Sequence, residues 1–155
     1  SLFGLAHFLV TFAGSVLCGT GSRDNRRLRD CKGLMGNLII PDSVTDINPS
    51  TFCGCSGFTG SLTIPDSVTN IGYMAFSGCN GFTGSLIIPD SVTSIGSYAF
   101  FCCDGFTGDQ IIPSNVKKVG KSAFDCQGFD GTLLIAASIE DIEAGAFKGL
   151  IHDMN

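Results

Sequence analysis

The apolar and polar positions of this chain recur with a period of 24 residues. Gly57 to Asn80 reads GFTGSLTIPDSVTNIGYMAFSGCN, and Gly81 to Asp104 reads GFTGSLIIPDSVTSIGSYAFFCCD. The frame continues upstream over 33–56 and downstream over 105–127, where one residue is deleted, and an eroded fifth copy covers 128–150. Units this short cannot each enclose a core, so the pattern predicts a solenoid of about five stacked coils of 23–24 residues.

Each unit predicts two short strands joined by turns. In the copy that begins at Gly57, Leu62 to Pro65 alternates apolar and polar residues and indicates a strand of three or four residues. A second extended piece runs from Val68 to Ile71, and Gly72 makes a corner. Tyr73 to Ser77 then indicates one helical or 3₁₀ turn. Because equivalent strands of successive coils lie side by side, the predicted sheets are parallel.

Stacking turns each equivalent inward position into a ladder of like side chains. The five predicted ladders are Leu38, Leu62, Leu86 and Leu133; Ile40, Ile64, Ile88, Ile112 and Ile135; Val44, Val68, Val92, Val116 and Ile139; Ile47, Ile71, Ile95, Val119 and Ile142; and Phe52, Phe76, Phe100, Phe124 and Phe147. Gln110 interrupts the leucine ladder. An unpaired buried amide costs about 1–3 kcal/mol, so we expect an imperfectly packed or edge-shifted site there.

Composition narrows the class of partner. The formal net charge is -5 and the chain has only nine Lys and Arg residues, which argues against nucleic acid as a partner. The 21 glycines and the absence of Trp fit a tightly wound chain with many corners.

The first residues have a different character from the repeats. Residues 2–19 are apolar and carry no formal charge, and the segment is long enough to form a membrane-spanning helix. The chain starts at Ser1, however, without Met or a basic segment. Two interpretations stay open: a signal or membrane segment, and an N-terminal cap helix. We therefore divide the chain into an apolar leader (1–21), a linker (22–27) and a repeat domain (28–155), with membrane contact expected only through residues 2–19.

The best-preserved copies carry a family signature. LTIPDSVTNIGYMAFSGC, from Leu62 to Cys79, and LIIPDSVTSIGSYAFFCC, from Leu86 to Cys103, resemble the BspA-type (treponemal-type) leucine-rich repeat. The resemblance extends from Leu28 to about Leu150. It implies a right-handed leucine-rich-repeat solenoid, a role at the cell surface in adhesion or recognition of other proteins, and no enzymatic activity.

The repeats contain no recognisable set of catalytic residues. The two histidines, His7 and His152, both lie outside the repeat frame, so a nucleophilic dyad or triad would need a terminus folded back. No phosphate loop or dinucleotide fingerprint is present. We predict no enzyme activity and no cofactor.

Five of the eight cysteines form one column of the repeat. They could bind zinc, pair as disulfides or pack as thiols, and a linear column does not suit tetrahedral zinc. The family resemblance implies an inward cysteine that caps the turn backbone, so we predict a structural thiol ladder without metal. Its members are Cys31, Cys55, Cys79, Cys103 and Cys126.

A column of aspartates is the other candidate for a cation. Asp42, Asp66 and Asp90 would lie about 5 Å apart and repel each other. Each aspartate has local amides to accept from, so three solvated turns are the favoured interpretation.

The outward face of the first strand provides the binding hypothesis. If Leu62 and Ile64 point inward, Thr63 points outward, and most of its equivalents are large aliphatic residues. Exposed apolar surface of this kind marks protein interfaces, although β-propensity alone also explains it. The predicted face consists of Ile39, Thr63, Ile87, Ile111 and Leu134.

The function predicted from all this is a non-catalytic protein-recognition or adhesion module, a fragment of a larger cell-surface or secreted protein. The alternative is a structural spacer or self-assembling repeat whose end coils stack on another copy. Glu140, Asp141 and Glu143 in the last copy indicate a C-terminal cap that blocks such stacking, so we expect a monomer.

Overall fold

The computed structural model describes residues 35–150 and shows a parallel β-solenoid of about four turns with almost no helix. The leader, the linker, Cys31, His7 and His152 lie outside the described residues. The strands are β1 (Leu38–Ile39), β2 (Asp46–Ile47), β3 (Leu62–Thr63), β4 (Asn70–Ile71), β5 (Ser94–Ile95), β6 (Gln110–Ile112), β7 (Lys118–Val119), β8 (Leu133–Ile135) and β9 (Asp141–Ile142).

The strands pair in the order that the repeat predicts. The second strand of each unit contributes to one five-stranded parallel sheet in the order β2-β4-β5-β7-β9. The first strands form two separate parallel pairs, β1-β3 and β6-β8. Equivalent residues face each other in register, for example Ile71 beside Ile95. The predicted solenoid of stacked coils with parallel sheets is therefore confirmed.

The strands are shorter than the sequence predicts. Each has two or three residues. After β1, β3 and β6 a proline, which lacks an N–H, starts a turn and ends the ladder. Pro65 begins one of these turns, and its carbonyl accepts a hydrogen bond from the Val68 nitrogen at 3.1 Å. In the next unit residues 86–88 form no strand, although Leu86 and Ile88 are buried like their equivalents.

The helical turn expected over Tyr73 to Ser77 is not formed. Met74 has φ +54°, a left-handed conformation that interrupts any right-handed helix. Alternate nitrogens bond along the chain and across to the next coil: Ala75 donates to the Gly72 carbonyl at 3.2 Å, and Phe76 donates to the Ala99 carbonyl at 2.8 Å. Within the described range the only 3₁₀ turn is Lys148–Leu150.

Corner glycines allow the coils to approach at the turn after the second strand. The Gly96 nitrogen donates to the Ile71 carbonyl at 2.7 Å. A Cβ added to Gly96 would meet the Tyr73 nitrogen at 2.6 Å, closer than real Cβ contacts. The close approach seen at Gly96 therefore excludes a side chain there, and the same holds at Gly72 and Gly120, which occupy equivalent places.

Two aromatic ladders fill the core. The predicted ladder of Phe52, Phe76, Phe100, Phe124 and Phe147 is stacked with ring centroids 5.1–5.6 Å apart. A second ladder, which was not predicted, consists of Phe58, Phe82, Phe106 and Phe129, with ring centroids 5.5–6.1 Å apart. Both ladders are buried throughout. The glycine-rich segment that leads into each following coil thus contributes to the core.

Gln110 keeps the place of a leucine, so the edge-shifted alternative is wrong. It faces Leu133 in the ladder and is 1% exposed. Its Nε2 donates to the Ile111 carbonyl at 3.0 Å, whereas its buried Oε1 has no hydrogen-bond partner in the described structure. A narrow crevice lies beside it, lined in part by Phe129 and Leu150. Gln110 is therefore dry and in line with the leucines, so the expected imperfect packing is not found, and its polar side chain leaves one unsatisfied oxygen in an intact ladder.

The last coil departs from the predicted burial. Ile135 and Ile142, expected inside, are 41% and 50% exposed. Leu133 and Ile139 are only partly buried. The physical reason is position: among the described residues no coil follows this one, so its side chains pack on one neighbour where inner coils have two.

Candidate functional site

The predicted outward column lies at the surface. The buried–exposed alternation of β1, β3 and β6 directs every second side chain away from the core. Thr63 is exposed, and the exposed fractions of the four aliphatic members are 52%, 72%, 56% and 52% for Ile39, Ile87, Ile111 and Leu134.

Strand register places the members of this column side by side. Ile39 faces Thr63 across β1 and β3, and Ile111 faces Leu134 across β6 and β8. Ile87 stands between these two pairs, in the coil that forms no first strand, and it is the most exposed member. At about 4.8 Å per rung, five members make a strip roughly 19 Å long.

A polar margin borders the aliphatic strip two residues upstream. Its members are Asn37, Ser61, Ser85, Asp109 and Thr132, all exposed. The Ser61 nitrogen donates to Asn37 Oδ1 at 2.9 Å, and the Thr132 nitrogen donates to Asp109 Oδ1 at 2.6 Å. The Asn37 and Asp109 side chains are thus each held against the next coil along the solenoid.

A second apolar surface was not found by sequence reasoning. The ring of Tyr98 packs edge-on against Tyr73 at 6.1 Å and against Phe101 at 5.6 Å, and Tyr73 is 49% exposed. Tyr73 follows its corner glycine directly, whereas Tyr98 is two residues after Gly96. Their non-equivalent places in the repeat hide the cluster from a search for columns.

The cysteine column lies inside the turns. Cys55, Cys79, Cys103 and Cys126 are all at most 1% exposed. The Cys79 thiol donates to the Phe52 carbonyl at 2.9 Å, and the Cys103 thiol donates to the Phe76 carbonyl at 3.0 Å. Each of these two bonds connects a coil to the one before it.

Burial makes the thiols of Cys79, Cys103 and Cys126 poor nucleophiles and poor metal ligands. It raises the pKa of Cys79 to about 12, and burial together with the nearby Asp104 raises the pKa of Cys126 to about 12. The pKa of Cys103 is also raised well above its ordinary value, again chiefly by burial. The thiolate is the reactive and metal-binding form, so this arrangement supports packing and hydrogen bonding.

The part of the chain that the structure describes contains no cluster of side chains that could form a metal site. Between residues 35 and 150, no three His, Cys, Asp or Glu side chains are grouped so that they could hold a metal ion. Asp42, Asp66 and Asp90 are exposed. Over the same range, no helix has the length and apolar character needed to cross a membrane.

Comparison with known proteins agrees with the repeat frame. The model of the BspA type leucine rich repeat region matches residues 28–152 in six copies. The structure is similar to the crystal structure of a leucine rich repeat protein from T. pallidum, with a TM-score of 0.62 and 28% sequence identity. The similarity covers 72% of this chain and 53% of that one, so this chain spans about half of that protein's length. No curated protein matches the chain.

The residues matched by the family model include every coil that the structure describes, and the inward ladders fall where the signature places them. Leucine-rich-repeat solenoids are typically non-enzymatic and mediate protein interactions. The chain belongs to the BspA-type leucine-rich repeat family.

Proposed function

We propose that this chain is a non-catalytic module that recognises another protein through its outward aliphatic strip (Ile39, Thr63, Ile87, Ile111 and Leu134). The observation that carries the proposal is the exposure of four large aliphatic side chains in one column of a solenoid sheet face. Solenoids use such extended faces for binding, and contiguous exposed apolar surface is uncommon on proteins without a partner.

The shape of the strip favours an elongated partner. It is one residue wide and roughly 19 Å long, so it fits the apolar edge of a helix or an extended segment better than a compact ligand. The polar margin would satisfy the partner's polar groups beside the strip. Ile87 has the largest exposed fraction and a central place, which are the properties of an interface anchor.

Family membership supports the setting. BspA-type repeats are typical of cell-surface and secreted proteins, and we infer that this module acts in adhesion there as part of a larger protein. The apolar leader of residues 1–21 is our candidate for delivering it to that surface. The excess of acidic residues favours a protein partner over nucleic acid.

The test compares three forms of the full chain as immobilised bait for surface proteins of its source. Replacing both Ile87 and Ile111 by Ser should abolish capture of any specific partner, because it removes the centre of the strip. Replacing Thr83 and Thr107 by Ala alters exposed positions four residues upstream and should leave capture unchanged. Circular dichroism establishes that all three forms are folded. A partner that the Ile87→Ser, Ile111→Ser form retains at wild-type level would contradict the proposed face.

A further inference from the structure

The outward strip has a different border on each side. Upstream lies the polar margin, whose members are neutral except for Asp109. Downstream, three residues after a strip member, each of the first three described coils has an exposed aspartate: Asp42, Asp66 and Asp90, which we call the acidic column. Three residues of chain span at most about 10–11 Å, so these carboxylates lie within about one helix diameter of the strip.

Stacked turns hold the acidic column in line. In each of the three coils the proline carbonyl accepts a hydrogen bond from the valine nitrogen three residues later, at 3.0–3.1 Å, which makes the aspartate the second residue of a β-turn. The turns also bond to one another. The Ser67 hydroxyl donates to the Val44 carbonyl at 2.7 Å, and the Ser91 hydroxyl donates to the Val68 carbonyl at 2.6 Å. The carboxylates therefore recur at the coil spacing of about 4.8 Å.

The charge of the acidic column is not neutralised within the described residues. The ion pairs found there involve Lys118 and Lys148, and none includes a carboxylate of the column. Residues 35–116 contain no Lys or Arg, and the lysines of the described range begin at Lys117. Like charges about 5 Å apart repel each other, so cationic side chains of a partner would relieve this repulsion.

The spacing of the strip selects a helix among elongated partners. The five members recur about every 4.8 Å along the solenoid axis. The apolar edge of a helix has one residue about every 5.3 Å, so over four steps it departs from the strip by about 2 Å. Alternate residues of an extended strand lie about 6.7 Å apart, and over four steps they depart by about 7–8 Å. Flexible side chains absorb the first mismatch, whereas the second puts an extended segment out of register.

We propose that the outward strip and the acidic column together bind a basic amphipathic helix of another protein. The helix lies along the solenoid axis, with its apolar edge on the strip and its Lys or Arg side chains above the acidic column. The inference rests on the proposed function, since it takes the strip as the binding face and names the class of partner. Because the two borders differ, the basic residues of the partner belong on one flank, and the other flank faces the mostly neutral polar margin.

The experiment titrates the full chain into three fluorescent peptides and follows their anisotropy. The Lys peptide is alanine-based, about 20 residues and roughly 30 Å long as a helix, with Leu along one edge and Lys on one flank. The Glu peptide has Glu in place of each Lys. The Pro peptide is the Lys peptide with a central Pro, which interrupts the helix. The wild type should bind the Lys peptide about tenfold more tightly than either of the others.

Two variants with the same change in net charge locate the electrostatic contribution. Asn in place of all three aspartates of the acidic column should weaken binding of the Lys peptide by about three- to a hundredfold, because three exposed ion pairs are lost. The control combines Asp46→Asn, Glu140→Gln and Asp141→Asn, which are exposed carboxylates in or beside β2 and β9. It should bind the Lys peptide like the wild type. Circular dichroism and thermal unfolding establish that every form is folded.

The basic partner is rejected if the wild type binds no Lys peptide or binds the Lys and Glu peptides equally. It is also rejected if the column variant keeps the wild-type affinity or if the control loses as much affinity as the column variant. Equal affinities for the Lys and Pro peptides would reject the helix.

The form with both Ile87→Ser and Ile111→Ser separates this inference from the proposed function. It should lose the Lys peptide, because the centre of the strip is removed. If it binds the Lys peptide like the wild type, the strip is not the binding face and both proposals fail. If it loses a partner captured from surface proteins while the column variant retains that partner and the Lys peptide, the proposed function stands and the basic helix is wrong.

Discussion

The Glu143 carboxylate fastens the last coil to the one before it through Lys118, whose ammonium lies 2.9 Å away. Its other oxygen accepts a hydrogen bond from the Lys121 main-chain nitrogen, also at 2.9 Å. The sequence position of Glu143 is that of the corner glycine in earlier coils, such as Gly120. At this corner the Glu143 side chain therefore forms bonds to the preceding coil. The glycines at the corners of earlier coils have no side chain and only allow the two coils to approach closely.

This contact predicts a pH-dependent stability. The hydrogen bond from Lys118, followed by the bond from the Lys121 nitrogen, lowers the pKa of the Glu143 carboxyl below its ordinary value. A carboxyl with a lowered pKa in the folded state stabilises the fold above its unfolded pKa, and this contribution disappears as pH falls through the folded pKa. Urea midpoints of the wild type should therefore fall over that acidic window, and those of Glu143→Gln should fall less.

The control is Glu140→Gln, which removes an exposed carboxylate three residues away. It should retain the pH dependence of the wild type. Equal pH profiles for the wild type and Glu143→Gln would show that the contact with Lys118 contributes nothing measurable to stability.

The second phenylalanine ladder predicts a large effect from a single truncation. Phe82 is fully buried and stacks on Phe58 and Phe106 at 5.5 and 5.6 Å. Replacing Phe82 by Ala should lower the free energy of unfolding by about 3–5 kcal/mol, since it leaves a cavity between two rings. Urea denaturation followed by circular dichroism measures the change.

Phe101→Ala serves as the comparison, because that ring is only half-buried and packs at one edge of Tyr98. Phe101→Ala should lower the free energy of unfolding clearly less than Phe82→Ala does. Comparable losses for both variants would mean that the second ladder does not act as core.

Repetition decides which features could be predicted from this sequence. Ile64, Ile88 and Ile112 occupy equivalent places, so one inward assignment fixed the whole ladder, and the same logic placed Ile87 and Ile111 outside. These predictions are possible because the same type of side chain recurs at the equivalent position of several coils. The inward and outward positions are therefore clear even where strands have only two residues.

What escaped prediction depends on neighbours or on local backbone conformation. The Phe58 ladder had a visible signal, a phenylalanine at 24-residue spacing, but its glycine-rich surroundings suggested a surface return. The contact of Tyr73 with Tyr98 joins non-equivalent positions. The turn at Met74 is left-handed, which residue type does not reveal. Ile142 is exposed because, among the described residues, no coil follows its own.

We expect the replacement of Gln110 by Leu to stabilise the fold. Its Oε1 is buried without a hydrogen-bond partner, and the ladder position is otherwise occupied by leucine. Gln110→Leu removes the unsatisfied oxygen at the loss of one bond to the Ile111 carbonyl. The free energy of unfolding should rise by about 1–3 kcal/mol in a urea titration.

The converse change, Leu86→Gln, places the same amide at an equivalent buried position one coil earlier. It should destabilise the fold by a similar amount. If Gln110→Leu were destabilising, the bond from Gln110 Nε2 to the Ile111 carbonyl would contribute more to stability than the unsatisfied oxygen costs.

Cys102 carries backbone strain that a glycine would relieve. Its φ is +55°, and the equivalent residues of the two preceding coils, Gly54 and Gly78, both have φ +75°. A left-handed conformation costs a residue with a Cβ about 1–2 kcal/mol, whereas glycine adopts it freely. Cys102→Gly should therefore raise the free energy of unfolding by about 1 kcal/mol, after allowance for the greater entropy of glycine in the unfolded chain.

Cys102→Ala separates the backbone effect from the loss of the thiol. Alanine removes the sulfur but keeps the Cβ, so it should leave the strain in place and give no stabilisation. The Cys102 nitrogen donates to the Asp125 carbonyl at 3.0 Å, a backbone bond that both variants can keep. Equal gains for the two variants would attribute the effect to the thiol; a gain for glycine alone shows that the repeat favours glycine here for its backbone conformation.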